Sequence, residues 1–378
     1  MAITNGRNLA ELASLINSDG KISAEAFSAE LAASIDPTLY DSASDVPFED
    51  AVKGTQVFVP SEGLLIKLTD SDWYSIDGST GAAAPTVSQA QGSISGYSSG
   101  GTPDGTNRVN TIDKFSFAAD AGATDVGDLT ALRSDISGQS SSISGYTSGG
   151  STPGSPVPYL NVIDKFPFAA DANATDVGDL TVVRARPSGN ESVESGYTVS
   201  GNFPVNNAID KFPFAADANA TDVGDLSVSR GNGTAGQSST AYGYASGGSP
   251  LTNVIDKFSF TSDGNATDVG DLTQARFNTT GQSSSISGYT SGGSTPSDTN
   301  VIDKFPFAAD GNATDVGDLT QARRGTAGQS SVVSGYNSGG DGPVDRITID
   351  KFPFASDGNA TDVGDLTQAR EFMAGQQV

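Results

Sequence analysis

An all-β protein built around a six-bladed propeller is the fold this sequence predicts, and three observations predict it. A block close to IDKFPFAADANATDVGDLT recurs six times, its IDK triplet starting at Ile112, Ile163, Ile209, Ile255, Ile302 and Ile349, 46 to 51 residues apart. That is the length of a four-stranded blade. Glycine is abundant, 46 of 378 residues, which favours turns and close backbone contacts over helices. The array also ends in the segment in which it starts: the first copy opens at AQGSISGY, and the last stops at AGQQV, where other units read AGQSS. A ring needs this overlap, because one terminal strand must complete the blade begun at the other end, whereas an open stack needs distinct caps. The seam is expected between residues near Gln91 and Gln376.

Taken in order, residues 1–40 read as a helical attachment segment. Leu9, Leu12, Leu15 and Ile16 fall on one helical face, Gly20 is a stop, and SAEAFSAELAASID continues to about Ile35. Residues 41–80, with GTQVFVPSEGLLIKLTDSDWYSIDG and the sole tryptophan Trp73, read as a small β module. Residues 81–90 form a Gly/Ala/Ser-rich linker, and 91–378 the propeller. Within a unit, NVIDKFPF alternates with period 2 and is separated by DGN or DAN from ATDVGDL, so the pair is a hairpin. GQSSS and GYTSGG supply two further short strands around a polar turn. The repeated nineteen residues then make the outer hairpin of each blade.

Composition excludes much chemistry. Acidic residues number 45 against 20 basic, a formal charge of -25, which repels nucleic acid and anionic membranes. Four aspartates per copy account for most of that acidity, so it belongs to the scaffold. With no cysteine and no histidine, disulfides, thiolate nucleophiles, the usual zinc sites and imidazole-based triads are absent. No apolar run reaches the ~20 residues of a membrane helix, and MAITNGRNLAELASL lacks the pattern of a secretory signal.

The run AR, GQSSSISGYTSGG, NVIDKF, ATDVGDLTQAR resembles the kelch type of propeller repeat: Gly292 and Gly293 match its double glycine and Arg276 its arginine. The usual fourth-strand tryptophan is replaced by Val269 and Leu272, and blade three has only Gly201 at the double-glycine site. The Trp73-Tyr74 module is similar to small modules near the N-terminal ends of bacteriophage tail-fibre proteins, and near-identical repeats of this style resemble those of marine phages. The resemblance implies a virion appendage, anchored to other virion subunits through its N-terminal segment and presenting the propeller to a host-surface glycan or protein. It also implies a homo-oligomer, a trimer in the first place, although no long heptad repeat is present. The alternatives are a purely structural spacer or decoration subunit and a surface-polysaccharide glycosidase.

Several motifs invite sharper readings. Asp171, Asn173, Asp176 and Asp179 present oxygen ligands at calcium-like spacing, but the glycine and glutamate of the EF-hand loop are missing. They are read as turn chemistry, and no metal or cofactor is expected. The Asn-Ala-Thr triplets from Asn173 onward are read as turns rather than glycosylation sites. One arginine per unit (Arg133, Arg184, Arg230, Arg276, Arg323, Arg370) obeys the repeat. A catalytic residue must break it, so these are expected to bridge blades, bonding carbonyls or an aspartate such as Asp179. Glu191 and Glu194 lie in a segment read as exposed, and no catalysis is expected from them. The segments that do diverge follow the double glycine and the arginine of each unit. In a four-stranded meander both sets emerge at one end, where binding loops on a rigid scaffold belong. The candidate ligand-binding residues are therefore Arg108, Tyr159, Arg186, Phe203, Phe277, Arg324 and Arg346.

Overall fold

The computed structural model describes residues 91–342 and 347–378, together with four N-terminal strands. The chain divides into two units, Met1–Val87 and Ser88–Val378. In the first, strands Gln56–Val59, Gly63–Lys67 and Trp73–Ile76 pair antiparallel in sequence order, and Thr38–Leu39 pairs parallel with Gln56–Val59. The helices expected within 1–40 and the linker 81–90 lie outside the described residues.

The second unit is a six-bladed propeller of four-stranded antiparallel blades. Blade 2 is typical, with inner strand Ser137–Ser140, then Ser144–Ser148, Val162–Pro167 and outer strand Thr175–Asp179. The repeated block forms the outer two strands. The six inner strands adjoin one another in a closed circle. Blade 1 takes its inner strand, Ala374–Gln377, from the C-terminal end of the array, paired with Ser95–Ser99 so that Gln376 faces Tyr97. The Val378 carbonyl also accepts the N–H groups of Ser93, Ile94 and Ser95. The seam is where the overlap in register places it.

The core lies between blades rather than within them. Tyr146, Ile163 and Leu180 of blade 2 pack on Phe212 and Ala220 of blade 3, and the same set recurs around the ring. Each fully buried aromatic or branched side chain of this kind contributes about 1.5–3 kcal/mol. Polar side chains repeat the same step from one blade to the next. The Gln139 amide donates to the Tyr197 carbonyl at 3.0 Å, and Asn173 Oδ1 accepts the Asp128 N–H at 3.0 Å. Lys114 pairs with Asp171 at 3.1 Å on the rim.

The arginines do join blades and do donate to carbonyls, as Arg133 does to those of Gly149, Val162 and Thr147, but the aspartate they pair with is not the one named from the sequence. Arg133, on the link out of blade 1, meets Asp164 of blade 2 at 2.8 Å with both side chains wholly buried, and five equivalent pairs span 2.7 to 3.0 Å. Asp164 also accepts from the Thr130 backbone and hydroxyl. The outer-strand aspartate Asp179 is only half-buried on the outermost strand, while the IDK aspartate Asp164 is wholly buried between blades.

At the axis each inner strand contributes one glycine: Gly138, Gly189, Gly236, Gly281, Gly328 and Gly375. A Cβ on any of them would run into backbone of the preceding blade; for Gly281 it is the Gly236 carbonyl oxygen. The repeat keeps glycine here because six strands converge too closely for a side chain.

Candidate ligand-binding face

The divergent segments converge on one face, as the meander requires. The residue after each blade-linking arginine bridges to the loop after the double glycine, as in Ser134 with Ser151, Ala185 with Asn202 and Phe277 with Ser294. Around the axis on this face the next residue of each link adopts left-handed backbone: Asp135, Arg186, Asn232, Asn278, Gly325 and Phe372, with φ between 50° and 61°. Their backbones form a hydrogen-bonded girdle. Arg186 N–H donates to the Asp135 carbonyl, Asn278 to Asn232, Gly325 to Asn278, Phe372 to Gly325, and Asp135 back to Phe372, all within 3.1 Å. Asn, Asp and Gly tolerate this conformation best, and four of the six positions hold them.

The girdle rims an axial cavity of about 110 Å³, smaller than the 300–1,000 Å³ typical of pockets that enclose a whole small molecule. Arg186 is one of the residues that line it. Its Nε donates to Asp135 Oδ1 at 2.7 Å, Nη1 donates to Asn232 Oδ1 at 3.3 Å, and the guanidinium sits 4.5 Å from the centre of the Phe372 ring.

Four of the sequence candidates come together in the sector of blades 1 to 3. Arg108 Nη2 donates to Ser151 Oγ at 3.3 Å, and that hydroxyl donates to Asp135 Oδ2 at 2.8 Å, which links Arg108 to the Arg186 pair. Ser151 is bridged to Tyr159, whose ring stacks on Phe203 with centroids 4.7 Å apart and planes 8° from parallel. Phe203 is 49% exposed and has φ of 62°. A bulky aromatic held in left-handed backbone is strained, and such strain concentrates at functional positions. On the links out of blades 1 to 3 the residues one or two before the arginine include Leu132, Val182, Val183 and Val228, all exposed, where blades 4 to 6 have Gln274-Ala275, Gln321-Ala322 and Gln368-Ala369.

The other candidates stand apart. Phe277 is half-buried on the link into blade 5, and Arg324 is held by Asp298 at 2.8 Å and Asp341 at 2.6 Å. Arg346 lies outside the described residues. Asp135, Ser151 and Phe372 were not singled out from the sequence. The recurring Asn, Asp or Gly two residues after the arginine was the available signal.

At the far end of the axis the sequence reading needs correction. Glu194 is exposed, but Glu191 is 7% exposed: it occupies the inner-strand position held by Ser140, Ser238, Ser283 and Ser330 in other blades and reaches the lumen, where Oε1 accepts from Gln377 Nε2 at 3.2 Å. Loss of solvent pushes its carboxyl up to about 8. Between the ordinary carboxylate range and that value, the folded chain holds a proton that the unfolded chain releases, so this residue makes stability fall as pH rises from about 4.5 to about 8. The Glu191→Gln variant is expected to match the parent near pH 4.5 and to exceed it by a few kcal/mol at pH 8. A melting-temperature difference between the two that stays constant from pH 4.5 to 9 contradicts this.

The acidic turns are occupied by the scaffold. Asp171 pairs with Lys114, Asn173 accepts from Asp128, and Asp176 Oδ1 accepts the Gly178 N–H at 3.2 Å. Among the described residues no group of three or more acidic side chains is placed to hold a metal ion. A comparison of the sequence with known proteins finds no matching family model and no matching curated protein.

Proposed function

We propose that this chain is a subunit of a bacteriophage virion appendage whose propeller binds a glycan on the host surface through the face bearing Tyr159, Phe203 and Arg186. One observation carries the binding reading. In a chain whose copies are near-identical, the diverging links and loops lie on one face, and in the sector of blades 1 to 3 they present the Tyr159 and Phe203 stack together with the exposed aliphatic side chains Leu132, Val182, Val183 and Val228. An exposed aromatic face is the usual platform for the C–H surface of a sugar ring, and stacking of this kind adds to the area it buries. The virion assignment rests on the resemblance of the Trp73 module and on the repeat style. The test is binding of the purified chain to an immobilised glycan panel and to host cells. The parent is expected to bind and to compete with virions, while Tyr159→Ala and Phe203→Ala each weaken binding about tenfold or more with unchanged melting temperature. An isolated propeller that neither binds cells nor competes removes the reading.

A second reading, a spacer seated on another virion subunit, is favoured by the opposite face. There the turn into the second strand exposes Ile94, Ile143, Val193, Ile286 and Val333 around the axis. It expects that face, rather than the loop-bearing one, to be covered in the assembled particle.

A further inference from the structure

We infer that the ligand of the blade 1 to 3 sector is an anionic glycan, whose acidic group is received by Arg108 while a neighbouring sugar ring lies on the Tyr159 and Phe203 stack; this rests on the recognition reading above. The observation behind it is a census of charge. Within residues 91–342 and 347–378 all six lysines and eight of nine arginines lie within 3.1 Å of a carboxylate. Arg108 is the ninth arginine. In a protein of formal charge -25, a surface cation has carboxylates on offer nearly everywhere, and one placed without a partner is unusual. Its guanidinium is half-buried and held in place, with Nη1 donating to the Thr106 carbonyl at 2.7 Å and Nη2 to Ser151 Oγ at 3.3 Å, while its buried Nε–H meets no acceptor.

The acids near Arg108 are engaged elsewhere. Asp104, in the same loop, accepts the N–H groups of Thr106 and Asn107 at 2.9 and 2.7 Å and the Asn107 amide at 2.6 Å. Asp135 is taken by Arg186 and Ser151. Glu371 is buried on the link beside this loop, its backbone bridged to Thr102. The loop thus places a fixed, unneutralised cation next to a stacking platform. Ser151 connects the two, since it accepts from Arg108 and its backbone is bridged to Tyr159. An acidic sugar meets both features at once, and a neutral one meets only the platform. Repulsion from the rest of the scaffold is screened beyond about 8 Å at physiological ionic strength, so a contact at Arg108 outweighs it for a sparsely charged ligand.

The experiment measures binding of the full chain and of Arg108→Gln and Arg108→Lys to matched glycans that differ only in one acidic group, as uronate, sulfate ester, phosphodiester or neutral parent. The parent chain is expected to prefer one acidic form over its neutral counterpart about tenfold. Arg108→Gln should abolish that preference while keeping affinity for the neutral glycan, and Arg108→Lys should retain part of it. The form preferred identifies the acid. Equal affinity for neutral and acidic forms, or equal loss of both in Arg108→Gln, overturns this inference and leaves glycan recognition standing. Absence of binding to every glycan overturns the recognition reading instead, and this one with it.

Discussion

Removal of residues 374–378 is expected to abolish the cooperative unfolding of the propeller. This five-residue end supplies the entire inner strand of blade 1, with Ala374 and Gln376 fully buried. Its loss strips the ladder to Ser95–Ser99. It also removes the Gln376 amide bonds to the Tyr146 carbonyl at 2.9 Å and Thr147 at 3.1 Å, the Gln377 bond to Ser140, and the three bonds accepted by Val378. Each such bond is worth about 1 kcal/mol net, and a buried group left without its partner costs about 1–3 kcal/mol. The total rivals the 5–15 kcal/mol that holds a typical domain together. A ring depends on every interface, since opening one exposes the apolar contacts on both its sides. Circular dichroism melts should show a broad or absent transition for the truncated chain. A peptide spanning 370–378, added in trans, should restore a sharp one. A truncated chain that melts as the parent does would show that the ring closes without this strand.

What could be read from the sequence, and what could not, follows from the same geometry. Periodicity exposes whatever all six blades share. Isoleucine, phenylalanine, valine, leucine and tyrosine recur because they fill one interface six times, and the overlap in register at Gln91 and Gln376 reports closure. Pairing across blades is less visible. Asp179 was named as the arginine's aspartate where the structure has Asp164, because both recur at fixed spacing and only the pleat decides which one faces inward. Glu191 was misread because it stands in a locally polar, glycine-rich segment; aligning GNES with GQSS places it at an inner-strand serine and therefore at the lumen. The binding sector was half legible. Divergence marked the loops, but that Tyr159 of blade 2 lies flat on Phe203 of blade 3, and that Arg108 is the one cation of residues 91–342 and 347–378 without a carboxylate, are facts of three-dimensional neighbourhood.

Arg276→Met should lower stability by about 3–5 kcal/mol, because it leaves the Asp303 carboxylate buried without its cation. In the parent, Arg276 Nη2 lies 2.9 Å from Asp303 Oδ2 with neither side chain exposed, and the guanidinium also donates to the carbonyls of Val301 at 2.9 Å and Thr290 at 2.8 Å. Burial pulls the arginine below its ordinary range, and the charge of Asp303 opposes that shift. With the cation gone, Asp303 keeps only the Thr273 N–H at 3.0 Å and hydroxyl at 2.6 Å. For a unit of this size the loss corresponds to a fall in melting temperature of roughly 6–20 °C. Adding Asp303→Asn to Arg276→Met removes the stranded charge and keeps an acceptor for Thr273, so the double variant should recover a large part of the loss, giving a coupling of about 1–3 kcal/mol in the cycle. Because the pair recurs around the ring, Arg184→Met and Arg323→Met should behave alike, and glycan affinity of the folded fraction should not change in any of them. An Arg276→Met chain within about 1 kcal/mol of the parent would mean that water reaches Asp303 or that it takes up a proton at little cost. Selective loss of ligand binding with stability intact would instead move these arginines from the scaffold to the site.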